Sequence, residues 1–169
     1  MLSMPQAHAL GAHLAGLHRT TIVTPDDAPA RAVRAILGAL ARGVPALAAL
    51  ADELMVRASR VSVTLPTPGG SLVILSPAAV ADPLRYAMTV AHELVHATQR
   101  DEAGAIQVAV DYLAAPELRA RAEADAYAVG LWVAYLLTGV LPTVDDAVAS
   151  LSSDTYHLAP DEVELGRGV

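Results

Sequence analysis

Three side chains in this chain stand at a spacing that chemistry can use: His92, Glu93 and His96, in the run His92-Glu93-Leu94-Val95-His96. On a helix, residues four apart share a face, so both imidazoles reach one point in space. Two neutral imidazoles so arranged suit a divalent metal, zinc in particular, and Glu93 stands about a quarter-turn away, where it can face a metal-bound water without ligating the metal. Zinc lowers the pKa of such a water towards neutrality, and a nearby carboxylate takes its proton as it attacks a carbonyl carbon. The chemistry implied is metal-assisted hydrolysis.

A catalytic zinc needs a third protein ligand and an open position. Cysteine is absent, which excludes thiolate ligands and disulfides, so the third ligand must be acidic or another histidine. Glu123 is the leading candidate, because packing its helix against the His92 helix would carry a carboxylate to the metal. Glu102 lies six residues past His96, a spacing used when the chain turns sharply after the motif helix. That turn normally takes glycine three residues past the second histidine, where this chain has Gln99. Asp125 and Glu117 complete the set, Glu117 suiting the exposed first turn of a helix. Amide hydrolysis also needs a donor to the developing oxyanion. Tyr156 and His157, in a polar tail, could fold back to supply it, and Tyr127, one turn after Glu123, is a further candidate. His8, His13 and His18 recur every five residues, which spreads them around a helix and argues against a second metal site.

The segment Ala91-His92-Glu93-Leu94-Val95-His96-Ala97, followed by Glu123-Ala124-Asp125-Ala126-Tyr127-Ala128, resembles the gluzincin zinc peptidases. More narrowly, it resembles the minimal ones, including the ImmA/IrrE-like peptidases, whose second motif reads roughly E-A-N/D-x-F/Y-A. The resemblance extends from Met88 to Trp132. It implies Zn2+ as cofactor, His92, His96 and Glu123 as its ligands, Glu93 as general base and a peptide or protein as substrate. It also implies a hairpin edge above the site along which a peptide could lie as an added strand.

The elements that must position these residues can be read from periodicity and punctuation. Asp82-Pro83 or Ser76-Pro77 opens a helix running to about Arg100, with Leu84, Ala87, Ala91, Leu94, Val95 and Thr98 on its buried side. Gly104 separates it from a helix over 105–113. Ala115-Pro116-Glu117 starts a long helix that reaches about Leu137 and stops at Gly139, with Pro142 beyond. In it, Leu131, Trp132, Leu136 and Leu137 are expected in the core. Val61 to Leu65 alternates like a half-buried strand, residues 66–70 read as a longer turn, and Leu72 to Leu75 reads as a second strand. Upstream, Ala32, Val33, Ile36, Leu37 and Leu40 have helical spacing, as do Leu47, Leu50, Leu54 and Met55. Residues 1–24 carry only a weak helical pattern around Ala7 to Leu17, and could be a peripheral segment. A short helix is expected over 145–151, followed by an irregular tail over 152–169.

The 169 residues suit a single domain, expected to be α+β and mostly α, with a zincin-like core and a small hairpin or short sheet beside the active-site helix. A net charge of −7 argues against a nucleic-acid partner. Residues 126–144 carry no charge over about the length of a membrane span, but Gly139 and Pro142 interrupt them and a packed core helix is the expectation, without membrane insertion. No basic residue precedes the weak apolar stretch at the N-terminus, so no signal peptide is read and the expected compartment is the cytoplasm. Two rival functions fit the same residues: a catalytically silent metal-binding component of a larger assembly, and a helical membrane-associated protein in which the motif is accidental.

Overall fold

A computed structural model describes residues 2–43, 62–108, 115–140 and 143. The helices expected over 47–55 and 145–151, the far end of the one expected over 105–113, and the tail lie outside the described residues. What is described is α+β and mostly helical, with one three-stranded sheet. In chain order the elements are α1 (Met4–Leu17), β1 (Thr20–Val23), α2 (Ala28–Gly43), β2 (Val63–Thr67), β3 (Gly70–Ile74), α3 (Pro77–Val80), α4 (Pro83–Ala103) and α5 (Pro116–Thr138). Residues 105–108 are also helical.

The run Leu72-Val73-Ile74-Leu75 is apolar at every position because β3 is the middle strand and is covered on both sides. Val73 and Leu75 pack with Ala7 of α1 and with Tyr86, Val90 and Leu94 of α4. Leu72 and Ile74 turn the other way, to Val23 and Ala30, with Val33, Val63 and Leu65 against them. The period of two in β2 then has a functional consequence. Val63 and Leu65 enter the α2 layer, so Thr64, between them, faces α4.

β2 and β3 form an antiparallel hairpin in which Thr67 pairs with Gly70. The connection is therefore the two residues Pro68-Gly69, shorter than the turn expected over 66–70, because Pro66 and Thr67 belong to the strand. Proline is tolerated there because β2 is an edge strand among the described residues, where a missing N–H need cost no ladder bond. Gly70 is required by a close approach: a Cβ there would stand 1.8 Å from the Arg19 carbonyl oxygen.

β1 is a strand the sequence pattern does not reveal. It pairs parallel with β3, from Thr20 opposite Ser71 to Val23 opposite Ile74, and α1 packs on α4 through Ala7, Gly11 and Ala15. Residues 4–23 are thus part of the layered core, not a peripheral segment. Gly11 lets the Tyr86 ring approach to where a Cβ would stand 2.9 Å from it.

Both helix starts read from the sequence occur. The Ser76 hydroxyl accepts from the Ala79 N–H to open α3, and the Asp82 carboxylate accepts from the Arg85 N–H at 2.8 Å to open α4. Each is followed by proline at the first helical position, where no N–H is needed. α4 ends where Gly104, at φ 88°, donates its N–H to the Arg100 carbonyl. α5 ends at Gly139 in the left-handed conformation, its N–H on the Tyr135 carbonyl at 2.7 Å. Near the end of α4 the buried Arg100 guanidinium donates to the Gly70 carbonyl at 2.8 Å and to the Ser71 hydroxyl, tying the helix to the hairpin.

The burial of α4 is wider than the expected apolar face. Beyond Ala87, Ala91 and Leu94, it buries Tyr86, Val90, His92, Glu93, Ala97 and Arg100, while Leu84, Val95 and Thr98 are only partly covered. Neighbours on three sides cause this: the sheet, α1 and α5. In α5 the expected core residues Trp132 and Leu136 are instead 55% and 65% exposed, with Leu131 and Leu137 partly covered. Small residues bury in their place, namely Ala120, Ala126, Gly130 and Ala134. No described helix is long and apolar enough to cross a membrane.

Candidate metal centre

α4 and α5 run antiparallel. The Met88 carbonyl stands by Gly130, His92 by Tyr127, His96 by Glu123, and Gln99 by Ala122. A pair spaced i, i+4 on one helix therefore faces a pair spaced i, i+4 on the other. Gly130 permits the approach, since even a Cβ at that position would come within 3.3 Å of the Met88 carbonyl oxygen and 4.0 Å of the His92 Cβ.

This seam brings His92, His96 and Glu123 together, each offering a ligand atom within 4.8 Å of the others. His92 Nε2 and His96 Nε2 are 3.2 Å apart. Glu123 spans them, Oε2 lying 3.4 Å from His92 Nε2 and Oε1 3.6 Å from His96 Nε2. Ligand atoms held about 2.0–2.2 Å from a tetrahedral zinc stand about 3.3–3.6 Å from one another. Two imidazoles and a carboxylate at these separations could hold a divalent ion without rearrangement of the backbone.

Glu123 is 2% exposed, and its charge survives burial because of its neighbours. Burial alone would push its carboxyl up, but the hydrogen bonds and charges of His92 and His96 outweigh that and hold it well below the usual carboxylate range. His96 is the mirror case. Burial pulls its imidazolium down, yet the hydrogen bond and charge of Glu123, the charge of Glu93 and the Gln99 acceptor raise it to about 9. His96 and Glu123 therefore favour each other's charged forms across the seam.

Glu93 is buried at 4% exposure on the sheet side of α4. Thr64 of β2 donates its hydroxyl to Glu93 Oε2 at 2.7 Å, with the Glu93 carbonyl oxygen 3.1 Å away. A single hydroxyl proton serves one acceptor at a time, and the shorter, charge-assisted contact is the stronger. Tyr127 lies edge-on against His92, ring centroids 4.6 Å apart.

Of the four acidic candidates, the structure brings Glu123 to the histidines and leaves Glu102, Glu117 and Asp125 exposed. Tyr156 and His157 lie outside the described residues. His8 lies tilted against the Tyr86 ring, His13 is exposed and His18 meets the Thr98 hydroxyl, so the three do not converge. Sequence reasoning missed Thr64 as a partner of Glu93 and Gln99 as a partner of His96. The first could have been found by extending the alternation of β2 to ask what its polar face meets.

Family models, curated proteins and solved structures return no match to this chain. What can be said of its function rests on the seam between α4 and α5.

Proposed function

We propose that the protein is a zinc-dependent peptidase of the minimal gluzincin type, with a zincin-like core made of the three-stranded sheet, α4 and α5. One observation carries the reading: His92, His96 and Glu123 stand at the mutual separations of a zinc tetrahedron, with the Glu93 carboxylate one residue along the same helix. When bound, zinc supplies Lewis acidity and brings the pKa of a coordinated water towards neutrality.

The chain's own residues account for the rest. Glu93 takes a proton from the attacking water and returns it to the leaving amine. Thr64 holds one carboxylate oxygen of Glu93, and the second oxygen is the one that would receive the proton. Glu123 neutralises positive charge in a buried place, and the edge-on Tyr127 ring limits the rotation of His92. Among the described residues no strand pairs with the outer side of β2, an edge to which an extended peptide could add, which suits a peptide or protein substrate.

The deciding experiment is elemental analysis of the purified protein beside His92→Ala and Glu123→Ala. About one zinc per chain is expected in the wild type, and loss or severe weakening in both variants. Retention of full stoichiometry by Glu123→Ala would move the third ligand elsewhere. Glu93→Gln keeps the shape of the side chain but not its basicity. It is expected to retain zinc and lose about 10²–10⁴-fold in cleavage of a casein-type substrate. Zinc binding without any cleavage by the wild type would favour the silent metal-binding component instead.

A further inference from the structure

We propose that Gln99 is the positioning residue of the metal centre, fixing which nitrogen of His96 is presented to the metal. The inference rests on the zinc reading above and adds a role for a side chain that neither ligates nor reacts. Gln99 Nε2 lies 3.3 Å from the Ala122 carbonyl oxygen, and Gln99 Oε1 lies 3.0 Å from His96 Nδ1. A carbonyl oxygen can only accept, so the amide nitrogen must face Ala122. That orients the amide oxygen towards His96, and because an amide oxygen can only accept, Nδ1 must carry the proton. In the neutral imidazole the lone pair is then on Nε2, the atom that faces Glu123 and His92.

The same amide spans the seam. Gln99 sits on α4 and its nitrogen grips the backbone of α5 one residue before Glu123. A single side chain thus sets the tautomer of one ligand and sits against the backbone that carries another. Partners of this kind orient a ligating imidazole and raise its basicity, and their loss typically costs about 10–100-fold in metal affinity. Position 99 lies one helical turn past His96, where the i, i+3 relation makes the contact local and leaves it intact in any state that keeps α4 folded.

The test is zinc affinity, measured by competition with a chromophoric chelator on the full chain, alongside chemical unfolding of each metal-free variant. Gln99→Met, of similar length but with no amide acceptor, is expected to bind zinc about 10–100-fold more weakly than wild type. Gln99→Glu keeps an acceptor for Nδ1 but loses the donor to Ala122, and is expected to stay within about threefold of wild type or to bind more tightly. Nitrogen-15 spectra of the zinc-bound wild type should show His96 protonated at Nδ1 and ligated through Nε2. Ligation through Nδ1, a Gln99→Met affinity equal to wild type, or a Gln99→Glu affinity as weak as that of Gln99→Met would each overturn the inference while leaving the zinc reading standing. A wild type that takes up no zinc removes both.

Discussion

The two faces of α5 are built on opposite rules. Its inner face carries alanine, glycine and one carboxylate that are buried, Ala120, Glu123, Ala126, Gly130 and Ala134, together with the partly covered Tyr127 ring against His92. Its outer face carries Val129, Trp132 and Leu136, which are 41–65% exposed. In the second half of the helix side-chain size, more than polarity, separates the faces, with Tyr127 against His92 the exception. Small residues let α5 approach α4 closely enough for a glutamate to reach two histidines, and larger side chains on that side would hold the helices apart. The outer stripe faces nothing among the described residues.

The comparison can be broken most directly from the inside. Gly130→Leu places a branched side chain where a Cβ alone would meet the Met88 carbonyl at 3.3 Å. A destabilisation of about 1–3 kcal/mol is expected, read by urea unfolding of the metal-free protein. A parallel loss of zinc affinity is expected as Glu123 is carried away from the histidines. Unchanged stability would mean that the seam is not tightly packed.

A second test uses acid and alkali. The His96 pKa is raised from 6.5 to about 9 on folding, so its contribution to stability is complete below about 6.5 and is lost as pH rises through about 9. The Glu123 pKa is lowered from 4.5, so its contribution is present above that value and is lost as pH falls through the lower folded value. The melting temperature of the chelator-treated protein should therefore be highest between about 4.5 and 6.5 and decline towards pH 9. Zinc, replacing the His96 proton, should remove that alkaline decline. A flat alkaline limb without metal would dissociate Glu123 from His96.

The smallest effect is expected outside. Trp132→Ser removes a large ring from the exposed stripe and should change stability by no more than about 0.5 kcal/mol in the same unfolding assay. A larger loss would show that this face is covered in solution, and would erase the contrast between the two sides.

The features legible in the sequence are those whose causes are local. Asp82-Pro83, Gly104, Pro116 and Gly139 mark helix ends through capping and backbone preference, and the structure ends its helices there. The i, i+4 histidines needed only a helix to converge. β1 was invisible because four residues, Thr20–Val23, are held by a partner strand some fifty residues away, and no local pattern reports a parallel pairing. Pro66 was read as turn because its ring suits one, whereas an edge strand accommodates it equally. Trp132 and Leu136 were expected inside because apolar bulk usually is, but close helix contact at the seam selects for the absence of bulk. Thr64 reaches Glu93 from a different element, and a contact of that kind needs the fold itself.

The grip of Arg100 on the hairpin has a bearing on which parts of the molecule can shift against one another. With its guanidinium on Gly70 and Ser71, the sheet and the motif helix are joined at the turn end of the hairpin as well as through their apolar layer. The sheet and the helix that carries both histidines are thereby held as one unit. Widening of the seam on the far side of α4 would carry Glu123 away while the two imidazoles keep their places.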